Sequence, residues 1–507
     1  MLAKVNSYGL CGIEAYPITI EVDISGGLPG MTVVGLPDSA VRESRDRVRS
    51  AIKNSGFEFK PRRVTVNLSP ADTRKEGPAF DLAIALGYLT ASGQIPGDPL
   101  KNVIVLGELS LDGNLRPVNG VLPVALSLAG KKNSRLFVPL ANTEEALINP
   151  DLAVFPLKDL NDAVLLLTQD TGRSPVQNTP ASDSERGTTP AQDFCEVKGQ
   201  SAVKRGLEVA AAGAHNCIMV GPPGSGKTML ARRVPSILPD LTHAESLETT
   251  KIHSIMGLIP PGRGLLQTRP FRSPHHTCSD IALIGGGSNP KPGEATLAHN
   301  GILFLDELPE FNRAALEALR QPLEDRRVTV SRVKRSACFP ATFMLIASMN
   351  PCMCGFLTDS QRECHCTDAQ IQRYMKKISG PLMDRIDIHL EVPALKTDHL
   401  FTSPPAESSA DIKKRTIAAR TVQQQRFEGR AIYANAQMGP QDIKNHCIIN
   451  RESRLLLKKA IEELGLSARA HDKILKVART IADLAGNEDI ETVDLAEAVQ
   501  YRCLDRT

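Results

Sequence analysis

The chain has 507 residues, 41% hydrophobic and 23% charged; at roughly 150 residues per domain that is two to four domains, and the composition excludes wholesale disorder. Its net charge of +3 is too small to announce a nucleic-acid binder, so any basic surface is local. Aromatic residues make up 4% and Trp is absent, which argues against a single-strand binder built mainly on base-stacking platforms.

The first residues, MLAKVNSYGLCGIEAYPITI, lack the unbroken apolar core of a signal peptide. No window reaches the ~18 consecutive apolar residues of a membrane span. The eleven cysteines are an odd number, four of them crowded together, unlike a secreted disulfide framework. The expectation is a cytoplasmic protein without a membrane partner.

Over residues 1–166, short apolar runs alternate with Gly/Pro punctuation. ITIEVDIS, MTVVGLP, RVTVNLSP and NVIVLGELS read as strands, SAVRESRDRVRSAIKNSG and FDLAIALGYLTASG as helices, which makes a mixed α/β domain. Residues 167–193, LTQDTGRSPVQNTPASDSERGTTPAQD, are polar and cannot repay their ordering entropy; they read as a flexible linker. Beyond it, NCIMVGPPGSGKTMLARRV passes from an apolar run through glycines into a helical pattern, and GILFLDE, RRVTVSRV and ATFMLIASMN add strands. Residues 194–400 therefore predict an α/β core with a parallel sheet between helices. Residues 401–507 turn almost wholly helical, with Asn450 and Ser467 as N-caps and Gly465 and Gly486 as stops.

Gly221, Pro222, Pro223, Gly224, Ser225, Gly226, Lys227 and Thr228 fit G-x-x-x-x-G-K-[ST] between a predicted strand and a predicted helix. The glycines let backbone N–H groups wrap ATP phosphates, Lys227 supplies a point charge, and Thr228 offers a hydroxyl to Mg²⁺. GILFLDE ends with Asp306, placed to hold that Mg²⁺, and Glu307, placed to orient an attacking water. Asn350 closes ATFMLIASMN and can hydrogen-bond the water or the γ-phosphate; alone, it would read as a strand-terminating Asn.

This arrangement resembles the AAA+ superfamily, in the clade of magnesium-chelatase ATPase subunits and minichromosome-maintenance helicases. FRSPHHTCSDIALIGGG, PKPGEATLAHNGILFLDELPEF, ASMNPCMCG and GPLMDRIDIHLEV are similar to the ComM/YifB family of competence-associated Mg-chelatase-like proteins, across essentially the whole chain. The resemblance implies an AAA+ P-loop core with a C-terminal helical lid. It makes Asn350 sensor 1, Arg385 in MDRID an arginine finger reaching a neighbour's nucleotide, and Arg469 in LSARAHDKIL sensor 2. A surface ion pair of Arg385 with Asp384 or Asp387 is the plainer reading.

LEDRRVTVSRVKRSACFPATF fits a β-hairpin with a cationic tip, Arg332, Lys334 and Arg335. In the related helicases such a hairpin points into the pore and grips DNA phosphates without reading sequence; a solvated tip is the alternative. IGGGSNPKPGEATL resembles the helix-2 insert of the clade, with Lys291 as another pore contact. His275 and His276 lack metal-ligand spacing and read as polar loop contacts. Cys352, Cys354, Cys364 and Cys366 form a C-x-C…C-x-C array with His365 as a spare ligand. Four thiolates suit tetrahedral Zn²⁺, although the spacing is tighter than usual; free thiols or a redox-labile loop is the alternative.

RKEGPAFDLAIALG and GELSLDGNLRPVNGVLPVALSLAG resemble the proteolytic domain of Lon-type proteases, a ribosomal S5 domain 2-like fold. Ala79 stands where that family carries its nucleophilic Ser, and Leu122 where it carries its catalytic Lys. Without a hydroxyl and its base there is no acyl-transfer site. The arginines of the helix around Arg42, Arg45, Arg47 and Arg49 suit phosphate or a solvated face.

The leading expectation is an ATP-driven homo-hexameric ring, a helicase or branch-migration motor acting on single-stranded and branched DNA in natural transformation, with recombination proteins as partners. A chelatase-like ATPase for protein remodelling or metal insertion is the second reading, and a non-catalytic scaffold the third.

Overall fold

The computed structural model describes residues 1–131, 134–169, 173–176, 192–260, 262–287, 290–332, 335–359, 362–394, 407–430, 432–465, 467–502 and 504. They gather into two units: Met1–Arg186 with His243–Gln267, and Gly187–Thr242 with Thr268–Thr507.

The first unit is built on a seven-stranded mixed sheet, ordered Gly30–Val34, Arg63–Ser69, Glu14–Ser25, Leu2–Cys11, Val103–Val105, Arg135–Pro139, Ala153–Leu157. In Glu14–Ser25, Ile18, Ile20, Val22 and Ile24 are buried and the residues between them are not, the period of two that made the strand legible. Leu2–Cys11 pairs with it antiparallel along its whole length. That strand breaks the alternation with three consecutive buried residues, Ser7, Tyr8 and Gly9, and periodicity does not find it.

Helix Asp81–Ala91 is buried at every position, as an all-round apolar sequence requires. Its one charge, Asp81, meets Arg47 at 2.9 Å. Arg47 lies on helix Ser39–Asn54, which begins where Asp38 accepts from the Val41 N–H at 2.8 Å. On the same helix Arg45 pairs with Asp46, and Arg49 lies 5.8 Å over the Phe59 ring. Three of the four arginines are thus engaged inside the unit.

Helix His243–Ile255 packs in this first unit, although the sequence boundaries carry it in the 194–400 domain. Ser254 donates to the buried Glu145 carboxylate, the Gly120 N–H donates to the Ser254 carbonyl at 3.1 Å, and Lys251 pairs with Glu14 at 3.0 Å. No change of composition marks this excursion. Of the linker, residues 170–172 and 177–191 lie outside the described residues. Helix Leu160–Thr168 runs into its start, Arg173 pairs with Asp162 at 2.8 Å, and Val176 bridges to Val154.

The second unit holds a five-stranded parallel sheet, ordered Phe271–Arg272, Ile302–Leu305, Met344–Met349, Cys217–Val220, Ile388–Glu391. The three middle strands are buried throughout, which explains their unbroken apolar runs. Alternate residues serve opposite faces: Cys217, Met219, Ile302, Phe304, Met344 and Ile346 join the core shared with the C-terminal helices. Ile218, Val220, Leu303, Leu305, Leu345 and Ala347 line the other core.

Helices Ser409–Arg426, Pro440–His446, Arg451–Leu464, Ala468–Ala485 and Thr492–Gln500 form the helical C-terminal region. Asn450 accepts from the Ser453 N–H at 2.7 Å and Ser467 from that of Ala470 at 3.3 Å. Gly465 and Gly486 end their helices at φ +63° and +77°, where glycine carries no Cβ penalty. Among the described residues no helix is long and apolar enough to cross a membrane.

Candidate functional site

Strand Cys217–Val220 ends in the loop Gly221–Gly226, and helix Lys227–Arg233 begins immediately after it. Gly224 and Gly226 have φ of +76° and +90°, left-handed conformations that turn the chain back over itself. At Gly221 a Cβ would stand 2.1 Å from the Val392 carbonyl oxygen, so only glycine fits. Lys227 folds into the loop: its Nζ donates to the carbonyls of Gly221 at 2.8 Å and Pro222 at 2.9 Å, and to Asn350 Oδ1 at 3.3 Å. Burial lowers its pKa, against the opposing pull of Asp306 and Glu307.

Asp306 follows strand Ile302–Leu305 and accepts from the Thr228 hydroxyl at 2.7 Å. Its other oxygen takes the Ser348 hydroxyl and, at 3.1 Å, the Glu307 N–H. Hydroxyl and carboxylate oxygens in contact are hard donors of the kind Mg²⁺ takes. Glu307 has φ +54°, uncommon for a non-glycine residue and a strain of the kind found at functional sites. Its carboxylate is mostly exposed, 3.5 Å from His276 Nδ1. His275 Nδ1 lies 2.9 Å from the Thr277 hydroxyl, so both histidines make polar loop contacts.

Parallel pairing of the three strands lines up their carboxyl ends, bringing Lys227, Thr228, Asp306 and Asn350 together. Sequence reading missed Ser348 and His276 as neighbours of the acidic pair. Ser348 lies two residues before Asn350, within the same strand, and was legible only as a strand position.

Two further residues lie elsewhere. Arg385 donates to the Pro381 carbonyl at 2.6 Å and pairs with Glu324; neither Asp384 nor Asp387 is its partner among the described residues. Asp384 instead takes Arg469 at 3.2 Å. Asp387 is buried between Lys473 at 2.8 Å and His215 Nδ1 at 3.4 Å, and accepts from the Asn216 N–H at 3.2 Å. Burial opposes its charge, but Lys473 and His215 outweigh that and hold the carboxyl below the usual range.

Strands Arg327–Arg332 and Arg335–Pro340 form the expected antiparallel hairpin, closed by the pair Arg332↔Arg335. Lys334 and the side chains of Arg332 and Arg335 lie outside the described residues. Lys291 is exposed, in a short antiparallel pairing with Gly285–Gly286. Cys352, Cys354, Cys364 and Cys366 converge, while His365 stays exposed and outside the cluster. In the first unit Leu122 is fully buried and Ala79 packs against its core.

A parallel sheet with a phosphate loop at the end of one strand, an Asp-Glu pair at the next, and a helical C-terminal region defines a Mg-chelatase-like AAA+ protein. The family described as magnesium chelatase, subunit ChlI, matches residues 193–400; subunit ChlI of Mg-chelatase matches 20–142, and the subunit ChlI C-terminal family 406–502. Competence protein ComM of Haemophilus influenzae is 42% identical over 510 residues, covering 100% of this chain and 98% of that protein. Protein YifB of Escherichia coli is 43% identical over 507 residues, with the same coverage. A shorter similarity, 28% over 148 residues, is to Lon protease 2 of Bacillus subtilis, covering 27% of this chain and 26% of that protein. The chain belongs to the ComM/YifB family.

Proposed function

We propose that this protein is an ATP-hydrolysing, homo-hexameric ring motor that moves on DNA. In this reading it is a helicase or branch-migration factor promoting integration of single-stranded DNA during natural transformation and homologous recombination. The observation that carries the ATPase half is the 2.7 Å contact of the Thr228 hydroxyl with the Asp306 carboxylate, beside Lys227 on Asn350.

The loop N–H groups of residues 221–228 cradle the phosphates, and Lys227 exchanges its carbonyl partners for phosphate oxygens. Thr228 and Asp306 would hold Mg²⁺, which would supply positive charge against that developing on the phosphates. Glu307 orients the attacking water, and Asn350 hydrogen-bonds it or the γ-phosphate. Arg385 serves the pocket of a neighbouring subunit; Arg469 meets the nucleotide from the helical region.

The DNA half rests on the likeness to a competence protein and on the cationic hairpin sequence, with Lys291 as a second contact. The reading is of a cytoplasmic protein, from its cysteine pattern, and of recombination proteins as partners, which the likeness to a competence protein supports. The Lon-like domain has lost the nucleophile and base positions and serves ring assembly or DNA binding. Remodelling of a protein partner or metal insertion is the second reading, which the chelatase family matches allow and the full-length likeness to a competence protein does not favour.

ATPase rates with and without single-stranded and branched DNA, paired with strand displacement, test the proposal. Stimulated turnover and displacement are expected. ATPase indifferent to DNA, with no displacement, overturns the DNA motor in favour of remodelling.

A further inference from the structure

Asn350 is followed within two residues by Cys352, and the chain then makes a tight knuckle in which four thiols face one another. The sulfurs of Cys352, Cys354, Cys364 and Cys366 all lie within 4.8 Å of one another. Individual separations are 3.3 Å for Cys352–Cys354, 3.7 Å for Cys352–Cys364 and 3.5 Å for Cys354–Cys364. A disulfide holds its sulfurs about 2.05 Å apart, so these are thiols. A tetrahedral Zn–S₄ centre with bonds of ~2.3 Å separates its sulfurs by about 3.8 Å, close to what is found.

The narrow C-x-C spacing is accommodated because Cys352 is fully buried while Met353, between the two ligands, is exposed. Sulfur-only ligation in a tetrahedron selects zinc or iron over hard cations. Four unligated thiols in mutual contact would be poorly satisfied donors and would repel one another once ionised.

The knuckle also touches the phosphate loop. Gly355, at φ +88°, packs so closely that a Cβ there would stand 2.7 Å from Pro223 Cδ and 2.8 Å from its Cγ, with Asn350 Cγ at 3.9 Å. The same short segment thus carries Asn350, the first two sulfurs, and then the glycine abutting Pro223.

We propose that Cys352, Cys354, Cys364 and Cys366 bind one Zn²⁺ as a tetrathiolate, and that this centre is a strut fixing Asn350 and the phosphate loop relative to each other through Gly355 and Pro223. Binding replaces thiol protons by metal–sulfur bonds and involves no redox change. The strut rests on the reading of residues 221–228 as a nucleotide site; the metal site does not.

The test begins with the full chain purified without chelator. Metal analysis by plasma mass spectrometry is expected to give one zinc per chain in colourless protein, with four thiols slow toward Ellman's reagent until a strong chelator releases the metal. Apo protein that takes up no Zn²⁺, a disulfide among these cysteines by mass spectrometry, or iron in place of zinc overturns the site. These readouts use neither ATP nor DNA, so DNA-indifferent turnover by a zinc-loaded protein would sink the motor reading alone.

For the strut, zinc removal and, independently, Gly355→Ala with zinc retained are expected to weaken binding of a fluorescent ATP analogue about tenfold, the lower end of what outer-sphere changes do. Nucleotide affinity unchanged in both overturns it.

Discussion

Lys473, on helix Ala468–Ala485, places its ammonium 2.8 Å from the buried Asp387 carboxylate, two residues beyond Arg385. Asp387 also holds His215 and the Asn216 N–H just before the phosphate-loop strand. One carboxylate thus ties the helical C-terminal region to the start of that strand and to the segment carrying Arg385.

Removing one partner of a buried pair leaves an uncompensated charge. Lys473→Met is expected to cost about 3 kcal/mol in urea unfolding, the low end of the range for broken buried pairs because His215 remains. An unchanged midpoint would mean that Asp387 is satisfied without Lys473.

Acid should act on the same cluster in two stages. Burial keeps the imidazoles of His215 and His389 below their usual pKa, so the unfolded chain takes up protons first and stability falls as pH drops below about 6.5. Asp387, held below the usual range, adds stability above about pH 3.9 that is lost as pH falls further toward its folded value. Unfolding free energy measured from pH 8 to 3 checks both; a flat curve between pH 7 and 5 would contradict the first.

Glu307→Gln keeps the shape of the site and removes the carboxylate proposed to orient the water. ATP binding and assembly are expected to persist while turnover falls about 10²–10⁴-fold, the usual worth of a positioned general base. Brisk hydrolysis would assign water orientation to another group. His276→Ala, which removes the imidazole 3.5 Å from the Glu307 carboxylate, should lower kcat more than it raises KM.

Lys227→Ala should weaken nucleotide binding about 10–100-fold, as loss of charge-assisted hydrogen bonds does. Arg385→Ala should bind ATP normally and lose about 10³–10⁵ in rate. In the structure Arg385 is engaged by Glu324 and the Pro381 carbonyl, contacts it would have to release to reach a neighbour's nucleotide. Mixing the two inactive variants is expected to restore ATPase, since some interfaces regain both residues. No recovery on mixing would put Arg385 in cis.

Replacing Arg332, Lys334 and Arg335 by Glu should weaken DNA binding and flatten its dependence on log salt by roughly 0.7–0.9 for each phosphate that is no longer neutralised. A slope equal to that of the unaltered protein would remove the hairpin from the DNA interface.

Much of the second unit was legible because its strands are buried on both faces and its turns carry glycines where backbone crowds, as at Gly221, or where φ is positive, as at Gly465 and Gly486. The convergence of Thr228 with Asp306 was legible too, since parallel strands align their ends. The pairing of Asp387 with Lys473 and His215 was not: three residues separated by 86 and 172 positions carry no local signal of one buried cluster. Leu2–Cys11 escaped because its burial does not alternate. Helix His243–Ile255 escaped assignment to the first unit because its partners, Glu145 and Gly120, lie far back in the chain.

That last feature governs how the molecule can be taken apart. The first unit takes residues 243–267 from beyond the polar stretch, so one protease nick in that stretch cuts the chain into two pieces that the packing of 243–267 still holds together. Deleting everything before that stretch would strip Ser254 and Lys251 of Glu145 and Glu14 and expose a helix face whose buried residues include Thr249, Thr250, Ile252 and His253. A soluble fragment of the ATPase half needs residues 243–267 replaced by a short polar bridge.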